Sequence, residues 1–401
     1  MAGLGPLKIL RVVSRLNTGG PSRHVVLLDS GLRSRGHDTT LVYGAVAEGE
    51  ASMEALAAAS GVPAVKVEPL GRSLRFGHDV RALLRLMTLI FTARPDVVHT
   101  HTSKAGMLGR LAATIYNATR RPDRRCAILH TFHGHVFEGY FPPAVNAAVR
   151  GIERLLARVS DRIVTISPRQ RSDIVERFRI APAARVEMIP LGINLAGLLA
   201  TTAASPNLRS ELGLDARDIV VGFVGRLVPI KDPQTLVRAF AVARARDARL
   251  QLLVAGGGQL RPDLERLAEE LGVGRQVRFL GWTDRLELLY STMDLCALSS
   301  INEGTPVALI EAMAAGRAVV ATAVGGVADL VEDGVQGRLV PSRDVQALAT
   351  AMIGLAERPD ERARMGAAGR ARVARAYASE RLVDEVEGLY ERVVRERRGR
   401  V

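Results

Sequence analysis

A rhythm constrains this chain more than any single motif. Short runs rich in valine, isoleucine and leucine alternate with longer amphipathic stretches from one end to the other. Such alternation is the pattern of parallel strands joined by helices that cover both faces of a sheet. Strands are expected near residues 8–14, 39–43, 64–67, 97–100, 127–131, 162–166 and 186–189, then near 219–225, 251–255, 276–280, 294–297, 318–321 and 338–340. Both series open alike. "KILRVVSRLNTGGPSRHVVLLDSGL" runs strand, glycine-bearing loop, helix, and "DIVVGFVGRLVPIKDPQTLVRAFAVA" repeats the order with a different loop. At 401 residues the chain exceeds what one hydrophobic core usually holds, so an α/β protein of two Rossmann-like domains is expected.

The first domain is expected over 1–195 and the second over 219–378. Between them "AGLLATTAASPNLRSELGLDARD" is rich in small residues and weakly patterned, so 196–218 reads as a linker. The end of the chain, 379–401, contains "SERLVDEVEGLYERVVRERR", with Leu382, Val383, Val386, Leu389, Tyr390 and Val393 on one face of a helix.

The net charge of +13 is unevenly placed: residues 1–195 carry +12 and the remainder +1. "RRPDRR" and a helix with Arg150, Arg154 and Arg158 make basic patches there, which suit an anionic partner or membrane surface. An arginine-rich composition is the competing reading, because only four of the 55 basic residues are lysines. Cys126 and Cys296 stand far apart in apolar contexts and give neither a disulfide framework nor a thiolate cluster. The apolar part of "MAGLGPLKILRVVSR" reads as a strand and not as a secretion signal, and no apolar run approaches the length needed to span a bilayer. A cytoplasmic protein, peripheral on the cytoplasmic membrane face, is expected.

The loops carry the chemistry. In "SSINEGTPVALIEAMAAG", residues 299–316, Thr305 and Pro306 read as N-cap and first residue of a helix whose free amides point back into the loop. That end favours an anion. Glu303 lies on the loop side and Glu311 inside the helix, so a ligand with its phosphates at the helix end could set hydroxyl groups beside each carboxylate. A structural salt bridge for Glu311 and an exposed loop acid for Glu303 are the plainer alternatives. "GRLVPIKD" adds Arg226 and Lys231 in the loop after the first strand of the second half, at the sheet edge where ligands of open α/β sheets gather. Two cations and a helix N-terminus make a diphosphate site.

These residues carry a resemblance. "VGRLVPIKD", "LLVAGGGQLRPDLE", "VRFLGWTDR", "EGTPVALIEAMAAG", "VVATAVGGVADLVEDG" and "QGRLVP" resemble, in order and spacing over 219–341, the donor domain of retaining, nucleotide-sugar-dependent glycosyltransferases of family 4. "NTGGPSRHV" and "HTFHGH" resemble the first domain of the same family more loosely. The resemblance implies the GT-B architecture, two Rossmann-like domains facing a central cleft, with the terminal helix crossing back to the first. It implies Arg226 and Lys231 on the donor diphosphate, Glu303 on hydroxyls of the transferred sugar and Glu311 on the ribose. Gly304, Thr305 and Val307 would line the phosphate loop, and Gly19 and Gly20 would let first-domain backbone approach the donor. His133 would sit at the reacting sugar, and His24 and Lys104 would lie on the acceptor side. Thr305 departs from the family's usual phenylalanine, and Ala318 stands where proline is common.

The activity implied is front-face sugar transfer from a nucleotide diphosphate, a UDP-sugar above all, to a glycan or polyprenyl-linked acceptor, without a metal. The chain has no Asp-x-Asp sequence to hold a diphosphate through a divalent ion. All eight histidines lie in the first half, but no carboxylate or cysteine accompanies them at zinc-ligand spacing. The glycines of "VAGGGQL" do not form a dinucleotide loop, and no nucleic-acid motif occurs. "GHVFEGYFPP" is either an acceptor wall, a shallow membrane contact or a local plug. A nucleotide-sugar epimerase and a non-catalytic nucleotide-sugar-binding protein are the alternative functions.

Overall fold

The computed structural model describes residues 5–17, 20–46, 52–71, 75–134, 137, 142–202 and 204–399. The chain divides into two compact units, one formed by Met1–Ile193 with Ser379–Val401 and the other by Asn194–Ala378. The first holds seven parallel strands, β1 (Lys8–Val13), β2 (Asp38–Tyr43), β3 (Ala64–Lys66), β4 (Val97–His101), β5 (Ala127–Phe132), β6 (Arg162–Thr165) and β7 (Val186–Met188), in the spatial order 3-2-1-4-5-6-7. The second holds β8 (Ile219–Val224), β9 (Leu250–Ala255), β10 (Val277–Gly281), β11 (Leu295–Leu298), β12 (Ala318–Thr322) and β13 (Gly337–Val340), in the order 10-9-8-11-12-13. Every strand expected from the sequence forms, within a residue or two of its expected ends. Strands buried on both faces read as near-continuous apolar runs, and β5, β11 and β12 are buried throughout.

Side chains alternate across the first sheet. On one face Ile9, Val97, Ala127 and Leu129 pack with Leu28 and Leu32 of the helix Gly20–Ser34 and with Leu382, Val386 and Leu389 of the terminal helix Ser379–Arg398. On the other, Leu10, Val12, Val98 and Ile128 pack with Leu86, Ile90 and Leu108. The terminal helix therefore completes the core of the first unit. A Cβ at Gly31 would lie 2.5 Å from Val383, so the two helices approach closely where glycine stands. Ion pairs from Arg35 to Asp384 and Glu387 flank that contact.

Residues 196–218 do not form a free linker. Leu198 and Leu208 are buried within the second unit, the Leu208 amide donates to Thr292 Oγ1 at 2.8 Å, and Arg209 pairs with Asp294 at 2.7 Å. Small residues made the stretch look unpatterned, yet Leu198, Leu208 and Arg209 dock it. On the basic helix Pro143–Val159, Arg150 donates to the carbonyl of Phe137 at 2.9 Å and Arg154 to that of Phe178 at 2.8 Å, and Arg154 and Arg158 are both exposed.

Candidate functional site

The second sheet reverses its strand order between β8 and β11, the place where open parallel sheets collect ligands beyond their carboxyl ends. Two loops meet there. The chain leaves β8 through Gly225 and Arg226 into the turn Pro229–Lys231, and leaves β11 through Ser299 towards Pro306. The Ser299 hydroxyl lies 3.0 and 2.8 Å from the carbonyls of Lys231 and Asp232, and the Ile301 amide donates to the Ile230 carbonyl at 2.9 Å. So fixed, Lys231 Nζ stands 2.5 Å from Glu303 Oε1, and Ser300 Oγ donates to the same oxygen at 2.5 Å. Lys231 keeps 20% of its side chain in solvent, against 7% for Glu303. Arg226 is exposed, with no hydrogen bond or ion pair to its guanidinium among the described residues.

Glycines let neighbouring loops close on this pair. Gly325 has φ +51°, and a Cβ there would lie 1.9 Å from the Glu303 carbonyl oxygen; one at Gly326 would lie 1.8 Å from that of Gly304. The loop after β12 thus presses directly on the backbone that carries Glu303, and the Gly326 amide donates to the Glu303 carbonyl at 3.0 Å. Gly256 and Gly258 do the same after β9, where a Cβ would meet the carbonyls of Gly225 and Leu227 at 1.9 and 2.4 Å. The triple glycine of "VAGGGQL" serves loop packing.

The helix Val307–Ala314 begins one residue later than expected. Pro306, not Thr305, is the N-cap, extended at φ −77° and ψ 90°, and its carbonyl accepts from Leu309 and Ile310 at 3.0 and 3.3 Å. With Pro306 held extended, the Thr305 hydroxyl stands a residue too early to cap the first turn. Among the described residues the amides of Val307 and Ala308 have no backbone acceptor, and they form the positive end of the helix, next to exposed Gly304. Glu311 lies on the buried face of this helix, 5% exposed, with Oε2 accepting from the Tyr290 hydroxyl at 2.8 Å.

In the first unit the order reverses between β1 and β4, and polar groups fill the carboxyl-end half of one sheet face. Arg11 follows Ile9 on that face and is fully buried. Its Nε donates to Asp29 Oδ1 at 2.8 Å, and its Nη1 lies 3.0 Å from His99 Nδ1 and 3.1 Å from His101 Nε2. Tyr390 of the terminal helix places its hydroxyl 2.6 Å from His99 Nδ1. His101 Nδ1 in turn lies 2.9 Å from His133 Nε2, and His24 packs its ring edgewise on His133 at 4.8 Å. Burial opposes the charge on Arg11, and Asp29 and Tyr390 together more than offset it. Burial, then the Arg11 charge, lowers His133 to about 4. Burial first, then the neighbouring cations, holds His24, His99, His101 and His130 well below the usual imidazole value. Beside this network Thr102 adopts φ 65°, rare for a β-branched residue, with Oγ1 2.7 Å from Ser14 Oγ.

The structure thus brings Lys231 and Glu303 into contact, and His24 and His133. Gly19 lies outside the described residues, as do His135, Tyr140 and Phe141 of the aromatic loop. Gly20 opens the helix Gly20–Ser34, and a Cβ there would meet nothing within 4 Å. Lys104 is buried and pairs with Asp79 at 2.5 Å, so its charge is spent inside the first unit. His130 belongs to the opposite face, 2.9 Å from Thr100 Oγ1. The expected sites omit Arg11, Asp29, Ser300, Tyr290, Gly325 and Gly326. For Arg11 a signal exists: a charge inside the apolar run "KILRVV" has to be paired when that strand is central.

Comparison with known proteins gives the family of the chain. Residues 204–372 match the family described as Glycosyl transferases group 1, and residues 18–196 match Glycosyltransferase Family 4. A D-inositol 3-phosphate glycosyltransferase from Salinispora tropica is 34% identical over 76% of this chain, and the chain spans 66% of that protein's own length. The UDP-Gal:alpha-D-GlcNAc-diphosphoundecaprenol alpha-1,3-galactosyltransferase of Escherichia coli is 25% identical over 73% of this chain and 74% of its own. Among solved structures, Anabaena Alr3699/HepE in complex with UDP superimposes with a TM-score of 0.80 at 21% identity, covering 96% of this chain and 99% of the other.

Proposed function

The chain belongs to glycosyltransferase family 4, and from that premise we propose a retaining glycosyltransferase that moves a hexosyl or N-acetylhexosaminyl group from a UDP-sugar to a glycan or polyprenyl-linked acceptor. The observation that carries this reading is the Lys231–Glu303 contact at the reversal between β8 and β11. A cation and a carboxylate held together there match the two ends of one ligand part, a phosphate and the sugar hydroxyls beside it. Arg226, which is exposed, supplies a second cation, and the amides of Val307 and Ala308 a third source of positive potential. Gly304 and Thr305 complete the phosphate loop. Glu311, anchored by Tyr290, is assigned the ribose hydroxyls, and His133 the transferred sugar.

In the proposed step the bond between the anomeric carbon and the leaving phosphate oxygen breaks while the acceptor hydroxyl attacks from the same face. The acceptor proton passes to that phosphate oxygen. Arg226, Lys231 and the helix end stabilise the charge developing on the diphosphate, a preorganised electrostatic role that needs no metal. The UDP in the Anabaena structure and the diphosphoundecaprenol acceptor named for the Escherichia coli relative support the donor and acceptor classes. An anionic membrane face suits such an acceptor. On the helix Pro143–Val159, Ile152 and Leu155 are 45% and 61% exposed beside Arg158, a pairing of apolar and basic groups fit for a bilayer surface.

Initial rates with UDP-, GDP- and ADP-sugars test the reading. Lys231→Ala is expected to lower kcat by about 10²- to 10³-fold. Undiminished turnover in that variant, or conversion of the sugar when donor is incubated alone, contradicts it. Retention on anionic vesicles at low salt tests the membrane proposal separately.

A further inference from the structure

The Arg11 network fixes protons as well as charges. A guanidinium has only N–H groups to offer, so each imidazole nitrogen it meets must accept. His99 therefore accepts at Nδ1 and carries its proton on Nε2, which lies 2.8 Å from Thr131 Oγ1. His101 accepts at Nε2, carries its proton on Nδ1, and donates across 2.9 Å to His133 Nε2. His133 must then carry its own proton on Nδ1. Of the described imidazoles in this cluster it alone is only partly buried, at the first position beyond the carboxyl end of β5, and its Nδ1 has no hydrogen-bond partner among the described residues.

We propose that Arg11 and His101 are positioning residues that act through His133: they lock it as the Nδ1–H tautomer, so that the imidazole at the strand ends presents a hydrogen-bond donor, and not a base, to a substrate oxygen. The proposal deepens the transferase reading and rests on it for the identity of that oxygen. Burial and the Arg11 charge also keep the ring from gaining a second proton. A different use of the same atoms is a metal site, since one nitrogen from each of His24, His101 and His133 lies within 4.8 Å of the others. The Arg11 contact opposes it. A metal taking the His101 Nδ1 lone pair forces the proton onto Nε2, where it faces a guanidinium N–H, donor against donor beside a fixed positive charge.

Two-bond nitrogen–proton correlation spectra of protein carrying ¹⁵N-histidine test this directly, without substrate. Wild type is expected to show His133, identified by its loss in His133→Gln, as the Nδ1–H form throughout pH 6 to 8. His101→Leu removes the donor and is expected to release His133 to a mixture with the Nε2–H form and to lower kcat by roughly 10- to 100-fold with little change in donor KM. His101→Gln can accept from Arg11 and donate to His133, and is expected to restore the tautomer and bring kcat back to within a few-fold. Because His101 variants leave the Arg11–Asp29 pair in place, they keep the test usable should Arg11→Met fail to fold. An Nε2–H His133 in the wild type overturns the proposal, as does loss of the His101 Nδ1–H signal on addition of zinc. A locked Nδ1–H tautomer in a protein that transfers no sugar sinks the transferase reading and leaves the proton assignment standing.

Discussion

The two units hold their sites in opposite ways. In the second, Lys231 and Glu303 stand on loops beyond the ends of the strands, and glycines bring neighbouring loops close against them. In the first, Arg11, Asp29, His99 and His101 lie within the core itself, and only His133 emerges. All eight histidines belong to the first unit and none to the second. The contrast separates two uses of charge. A loop site can lose a charge and keep its fold, whereas a core site is part of what the fold must satisfy.

The largest break in that contrast is expected at Arg11. Arg11→Ala leaves Asp29 buried and unpaired, a loss of about 3–5 kcal/mol, which should unfold the first unit first. Arg11→Met combined with Asp29→Leu should recover most of the loss, as read by thermal unfolding and by hydrogen exchange resolved along the chain. Lys231→Ala, by contrast, should cost the second unit under about 1 kcal/mol, since Lys231 is partly solvated.

Acid should sharpen the difference next. His24, His99, His101 and His130 in the first unit titrate well below their unfolded value of 6.5, and His133 near 4, so the unfolded chain binds more protons over that interval. Stability of the first unit should therefore fall as pH drops from about 6.5 towards 4, by at most about 3 kcal/mol from His133 alone. The second unit has no histidine, and its stability should stay level until its carboxylates titrate. Peptide-resolved hydrogen exchange across that range distinguishes the two; equal acid sensitivity would refute the contrast.

Glycine substitutions give the smaller effects. Gly325→Ala places a Cβ on the Glu303 carbonyl at positive φ and should destabilise the second unit by roughly 1–3 kcal/mol. Gly20→Ala has open space around it and should change the stability of the first by less than about 0.5 kcal/mol. A larger thermal shift from Gly20→Ala than from Gly325→Ala would reverse the expected order.

The same contrast explains what could be read in the sequence. All thirteen strands were legible because period and β-branching are local signals. Lys231 and Glu303 could be picked out too, since they fall in short loop motifs of consecutive residues, and Glu311 in the helix that follows. The Arg11 network was not. Its members lie 18, 88 and 90 residues from Arg11, and Tyr390 lies 291 residues from His99, so only the folded sheet and terminal helix bring them together. His99 and His101 alternate along one strand and share a face, but nothing in their spacing points to Arg11 on the neighbouring strand. Thr305 was misplaced as a cap because the backbone angle at Pro306 decides where the helix begins, and residues 196–218 were misplaced as a linker because composition hides two docking leucines.

The central claim is that the Lys231–Glu303 site grips a nucleoside diphosphate. Calorimetric titration of UDP into the wild-type chain and into Lys231→Ala tests it most directly. One site per chain, weakened at least about tenfold by the substitution, is the predicted result. Equal affinity in the two proteins would contradict it.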